Sequence, residues 1–491
     1  MIKPALTISS LLIAVAGIIV ITQRPSGNWH QTPDPVAAEL LPGGNTSVDF
    51  KPFPSFMKPA ANLAETARAD FHAGKALAHQ PWVKAPTITD ARDGLGPLYN
   101  ARTCLSCHVN GGRGHMPGDR DELTVTQFLR LSLPGENRVL GVIPEPAYGD
   151  QLQSQSVSLA HQLRGAVDAS ARPDDDIPAE ADVHIDWQQQ DFTYPDGQRV
   201  QLRKPKIEIR NLAYGPLHPK TLIGIRNAPP LLGTGLLQLI AQNDINALAD
   251  ANDSNGDGIS GRVNQVWDFV DQKTRPGRFG LKANKPDLRH QLAAALHGDM
   301  GIANSVFPGQ PCTKKQIHCR NAIHGTDENG LEINDKLLQL MIDFNMNLAV
   351  PKRRQPNHPG VLQGREQFYA SGCQHCHHPS YVTGRDTRYP QLSAQTIWPY
   401  SDLLLHDMGE ELADHRPDYR ASGTEWRTPP LWGVGLSEAV NGAKNFLHDG
   451  RARSVEEAIL WHGGEAEAAR HKFIQLDQSQ RQALIAFVKS L

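Results

Sequence analysis

Two short runs carry the most chemistry in this chain: Cys104-Leu105-Ser106-Cys107-His108 and Cys373-Gln374-His375-Cys376-His377. Both have the form Cys-x-x-Cys-His. One helical turn sets two thiols where they can add to the vinyl groups of a single porphyrin, and the adjacent His then lies under the iron as proximal ligand. With six Cys and 21 His in 491 residues, one such run arises in about 0.3% of shuffled sequences, so a chance pair is not credible. Zinc knuckles and redox dithiols use similar Cys pairs. The His after each pair, and the distance between pairs, favour two haem c groups instead. Cys312 and Cys319 are left over, in a loop with Pro308, Gly309 and Pro311, and an oxidising compartment would join them in a disulfide.

Function then turns on the sixth position of each iron. A Met or His there gives an electron carrier, whereas an open position admits oxygen or peroxide. Met300, in Asp299-Met300-Gly301, and Met408, in Asp407-Met408-Gly409, are the candidate distal ligands; packing beside the porphyrin is the alternative for each. Peroxide cleavage also needs an acid–base group, for which Glu145 and Asp299 are the candidates, although solvated loop carboxylates read the same way. Asp253, Asn255 and Asp257 alternate oxygen donors ahead of Gly258, like the front half of a Ca2+ loop. Asn264 stands where the closing Glu belongs, and an Asx-rich turn without metal fits the same residues.

The elements that must position these groups read as mainly α. Periodic apolar residues predict helices over 61–78, 236–248, 288–296 and 331–348, the last ended by Pro351. Segments 182–187 and 199–209 alternate polar and apolar residues around Tyr194-Pro195-Asp196-Gly197, which predicts a small β-hairpin. Pro229-Pro230-Leu231-Leu232-Gly233 and Pro429-Pro430-Leu431-Trp432-Gly433 form a weak internal repeat. The expected organisation is an N-terminal segment over 1–28, a linker over 29–60, a first cytochrome c-like haem domain enlarged by insertions over 61–355, and a second over 356–491. Lys3 precedes an apolar run from Ala5 to Ile21 without a clear small-x-small cleavage site, which reads as a secretory signal or an inner-membrane anchor. Haem c is attached outside the bacterial inner membrane, so a periplasmic protein, soluble or anchored, is expected. The net charge of −3 and the lack of any basic block exclude a nucleic-acid partner.

Several stretches resemble the bacterial di-haem oxidoreductase family, whose members are often labelled thiol oxidoreductases or peroxidases. They are Arg278-Phe279-Gly280-Leu281-Lys282-Ala283-Asn284, Gly298 to Ile302, Leu404-Leu405-His406-Asp407-Met408-Gly409, Glu425 to Gly433, Phe446 to Arg453 and Trp461-His462-Gly463-Gly464-Glu465. The resemblance runs from about residue 62 to the C-terminus. It is similar, more distantly, to di-haem cytochrome c peroxidases. It implies two cytochrome c-like domains with a calcium site near their contact. One departure bears on Met408: in di-haem peroxidases its position usually carries an aliphatic residue, and their distal Met comes later.

Together these readings predict a peroxidase-like oxidoreductase. The haem on His377 would receive electrons from a small redox protein, and the haem on His108 would react with a small-molecule oxidant. The competing expectation is a non-catalytic electron-transfer cytochrome with both irons six-coordinate. Thiol oxidation ranks lower, because no cysteine remains for a thiol–disulfide cycle.

Overall fold

The computed structural model describes residues 37–88, 92–119, 122, 124, 126–158 and 177–491. The N-terminal segment expected over 1–28 lies outside them. Among the described residues, no helix is long and apolar enough to cross a membrane.

The expectation of a mainly α fold is corrected. The chain is 30% helical and 18% strand, and the described strands form six two-stranded antiparallel sheets. Helical periodicity is legible over long windows, whereas most of these strands are too short to leave a pattern. Strand β1 (Gln127–Ser132) pairs along its whole length with β4 (Leu222–Asn227), far away in sequence. The hairpin is longer than its alternation indicates. Strands β2 (Asp182–Thr193) and β3 (Arg199–Arg210) pair from Asp182↔Arg210 to Thr193↔Arg199. Pro205 sits inside β3, which a two-stranded ribbon tolerates because each strand keeps a free edge.

Two helix pairs flank the Cys-x-x-Cys-His runs. Helix α1 (Glu65–His79) packs on α3 (Asp335–Met346), and α4 (Pro359–Ala370) packs on α5 (Gln478–Ser490). Each crossing is made at a glycine: a Cβ on Gly74 would run into the Leu340 carbonyl, and one on Gly364 into that of Ala483. Helix α2 (Leu288–Met300) lies against α3. The region expected as one helix over 236–248 is two short ones, Thr234–Gln238 and Gln242–Asn246.

The Pro-Pro repeat has a spatial counterpart. Gly233 and Gly433 both adopt left-handed backbone, with φ of 66° and 70°, which favours glycine. Gly233 rests on Trp432, and Gly433 rests on Leu232, the residue that occupies the repeat position of Trp432. The two loops therefore face each other reciprocally.

Two findings bear on the expected organisation. Parts of the segment expected as linker pack against the rest of the chain: Phe56, Met57 and Ala60 are core residues, and buried Glu39 pairs with Arg353 and Arg365. The apolar clusters also cross the 355/356 boundary. The cluster that holds α5 includes Tyr194 and Leu202 of the hairpin, and the larger one includes Trp432 and Leu436.

Candidate functional site

The first run forms a short helix, Cys104–Cys107, capped by the Thr103 hydroxyl, which accepts from the Ser106 N–H at 2.9 Å. Beyond it, Nδ1 of His108 lies 2.7 Å from the Pro229 carbonyl oxygen. A carbonyl only accepts, so Nδ1 carries the hydrogen and Nε2 keeps its lone pair. The second run makes a single 3-10 turn, Cys373–His375, after left-handed Gly372. There Nδ1 of His377 donates to the Tyr400 carbonyl at 3.0 Å. The tautomer is the same although the anchoring loop differs. Fixing the outer nitrogen on a backbone oxygen is how proteins orient a metal-binding imidazole. Burial lowers the pKa of each ring to about 4, so both are neutral at pH 7, the state that coordinates metal.

Both histidines and all four cysteines outside the disulfide line one continuous cavity of about 570 Å³. Burial raises the thiols of Cys104, Cys107 and Cys373 to about 12 and also raises Cys376. The cavity suits a large flat apolar group with anionic edges. Leu237, Phe279 and Leu431 supply apolar wall. Arg113 also faces it, with Nε buried and unpartnered and the guanidinium lowered to about 10 by burial alone. A buried cation without an anion is costly, and porphyrin carboxylates would supply one. Cys312 and Cys319 are disulfide-bonded, with Cα atoms 5.9 Å apart.

Met300, Met408 and Asp299 also line the cavity. The Asp299 carboxyl accepts from Gln151 Nε2 at 2.8 Å, and burial raises its pKa against the pull of Arg130. Glu145 is not among the lining residues. Its carboxylate accepts from the N–H groups of Ala147, Tyr148 and His218 and so organises its own loop. Asp253, Asn255 and Asp257 share one exposed turn whose side-chain oxygens accept from the N–H groups of Gly258, Asp257 and Ile259. Asn264 is buried elsewhere, donating to the carbonyls of Lys282 and Asp418, and does not close that turn.

Two side-chain groups complete the site. His406 sits between two carboxylates, 2.7 Å from Asp402 and 2.6 Å from Glu465, with the Cys376 sulfur 3.7 Å away. Burial opposes its charge, but the charge and hydrogen-bond pull of Asp402 and Cys376 together overcomes burial and holds its pKa well above the ordinary range. Trp426 stacks on His448 with ring centroids 3.6 Å apart, while Lys282 Nζ lies 4.0 Å from the indole centroid. Asp414 pairs with both Lys282 and Arg226. Burial lowers Lys282 to about 8 and His448 to about 3.

The sequence model of one family, described as "Di-haem oxidoreductase, putative peroxidase", matches residues 39–491. The chain belongs to that family. No curated protein and no solved structure matches it. As a di-haem oxidoreductase it holds two haems, and the cavity is lined by the imidazoles of His108 and His377. Haem iron supplies one-electron chemistry and, where its sixth position is open, a place for an oxidant. Residues of this chain would hold the groups from below through His108 and His377 and from the edge through Arg113. Composition and spacing alone do not single out Glu465, Asp402, Arg226 or Lys282. The resemblance motifs around Lys282, His406 and Glu465 are the only signal that contains three of the relevant residues.

Proposed function

We propose that this di-haem oxidoreductase is a periplasmic c-type enzyme of peroxidase type. Its haems are linked through Cys104 and Cys107 and through Cys373 and Cys376, and it passes electrons between a small redox protein and a small-molecule oxidant. One observation carries the proposal: each Cys-x-x-Cys-His run presents a neutral imidazole, fixed through Nδ1, to the cavity that its own two thiols line. The disulfide suits an oxidising compartment. Asp299 is the acid–base group in this reading, since it faces the cavity with a raised pKa. A calcium ion would sit on the Asp253–Asp257 turn in this reading, since those side-chain oxygens keep further lone pairs after accepting the backbone N–H groups.

A second reading rests on Met300 and Met408, which line the same cavity: both irons would be six-coordinate and the protein would carry electrons only. Haem stoichiometry by the pyridine haemochrome method, haem staining of a denaturing gel and EPR of both redox states separate the two. The proposal expects two covalent haems, one of them open or weakly ligated, and reaction with peroxide. Two low-spin six-coordinate haems in every state, inert to peroxide, would leave the carrier.

A further inference from the structure

Besides His108 and His377, the cavity is lined by His375, His406, His448 and His462. His375 belongs to the second covalent turn itself. His406 has a carboxylate on each ring nitrogen. His448 lies flat against Trp426, with Nε2 3.7 Å from Asp449. His462 is mounted differently. Its Nδ1 lies 2.6 Å from the Ala458 carbonyl oxygen. A carbonyl only accepts, so Nδ1 carries the hydrogen and Nε2 keeps its lone pair. Among the described residues, that Nε2 has no hydrogen-bond partner. This is the arrangement already seen at His108 and His377.

The mounting is firm. Ala458 belongs to the short helix Val455–Leu460, which the Ser454 hydroxyl caps by accepting from the Glu457 N–H at 3.0 Å. Trp461, directly before His462, is buried under the Arg451 guanidinium. A Cβ on Gly464 would run into the Asp407 carbonyl, and one on Gly463 would lie 3.0 Å from that of Met408. The His462 segment therefore rests on the Met408 segment, and both side chains line the cavity. After burial, the ring of His462 is the largest influence on the His377 imidazole, so the two lie near each other. Burial disfavours a charge on His462 as well.

We propose that His462, and not Met408, is the sixth ligand of the haem held by His377, so that this iron carries two imidazoles. The proposal rests on the two-haem reading and deepens it: it assigns the closed iron and leaves the open one to His108, on the side of Asp299. An imidazole already held in its ligating tautomer loses little freedom on binding, whereas Met408 would have to fix a flexible side chain. A second imidazole also gives a lower reduction potential than a Met would, which suits a haem that hands electrons on. One electron enters and one leaves such an iron, with no bond or proton exchanged.

The test uses the full holoprotein. Pyridine haemochrome analysis first fixes the haem content, so failure of the two-haem reading is seen separately. Near-infrared magnetic circular dichroism of the ferric protein tells a bis-imidazole iron from an imidazole–thioether iron and needs no variant. One bis-imidazole low-spin haem is expected. In His462→Ala its low-spin EPR signal should be lost, and added imidazole should restore it; a merely structural role gives no such rescue. His462→Met should replace the bis-imidazole signature with a thioether one and raise the reduction potential of that haem alone. Met408→Leu should keep the bis-imidazole signature. Two haems without that signature, an unchanged low-spin signal in His462→Ala, or its loss in Met408→Leu would overturn the proposal. Reaction with peroxide, followed on the same samples, reports on the peroxidase reading independently.

Discussion

Glu39 offers the sharpest test of how the second proximal histidine is mounted. Its side chain is 3% exposed and meets two guanidiniums, those of Arg353 at 4% and Arg365 at 2%. Arg365 also donates to the Tyr400 hydroxyl at 3.1 Å, and the carbonyl of the same tyrosine accepts from His377. Phe368 packs edge-on to Tyr400, with centroids 5.9 Å apart. Glu39→Gln leaves two buried cations facing each other without an anion, a loss expected to cost about 3–5 kcal/mol. With a urea slope of about 3–5 kcal/mol/M for a chain of this size, the unfolding midpoint should fall by about 1 M. The absorption and EPR signals of the second haem should broaden, while those of the first stay fixed. Combining Glu39→Gln with Arg353→Met and Arg365→Met should recover most of the loss, because an apolar replacement of a whole buried ion cluster is close to neutral. A single mutant within about 1 kcal/mol of the parent, with an unchanged second haem, would refute the idea that this cluster holds His377 in place.

Other outcomes follow from the same geometry. Cys104→Ala and Cys373→Ala should each leave one haem on a single thioether, shifting the pyridine haemochrome band of that haem; an unshifted band would refute the attachment. Gly364→Ala forces a Cβ into the Ala483 carbonyl and should cost about 1–3 kcal/mol by denaturant unfolding, through separation of α4 and α5. His448 is held neutral down to about pH 3 in the fold, whereas an unfolded chain protonates it near its ordinary value of about 6.5. Below that value the unfolded state binds the extra proton, so stability falls by about 1.4 kcal/mol per pH unit on acidification towards pH 3. His448→Phe should flatten that limb of the urea midpoint against pH. His406, raised instead, contributes with the opposite sign and loses its contribution as pH rises through its folded value.

Much of the chemistry is written in local spacing and is therefore legible. Each Cys-x-x-Cys-His run needs one turn of backbone, and each turn is there. The hairpin is announced by alternation plus a Pro-Asp-Gly turn, and α2 and α3 by apolar periodicity. What the sequence hides is set by distance along the chain. The donors' partners for His108 and His377 are the carbonyls of Pro229 and Tyr400, and a backbone oxygen has no residue type to recognise. Strand β1 finds its partner across nearly a hundred residues, in segments short enough to pass for loop. Residues 37–60 look like linker because Pro and Gly dominate, yet Phe56 and Met57 fill the core and Glu39 has two arginines far downstream to meet. Glu145 and Asp299 read alike as isolated acids. Only the fold shows that one caps its own loop while the other faces the cavity.

The β2–β3 ribbon also limits how this protein can be recombined. Tyr194 at its tip lies under the guanidinium of Arg481, 3.9 Å from the ring centroid, and its hydroxyl donates to Glu456; Leu202 fills the apolar cluster around α5. A gene cut at residue 356 would strip the C-terminal fragment of that cover and expose the seat of Arg481. Chimeras with related oxidoreductases should stay soluble only when 182–210 and 356–491 are inherited from the same parent.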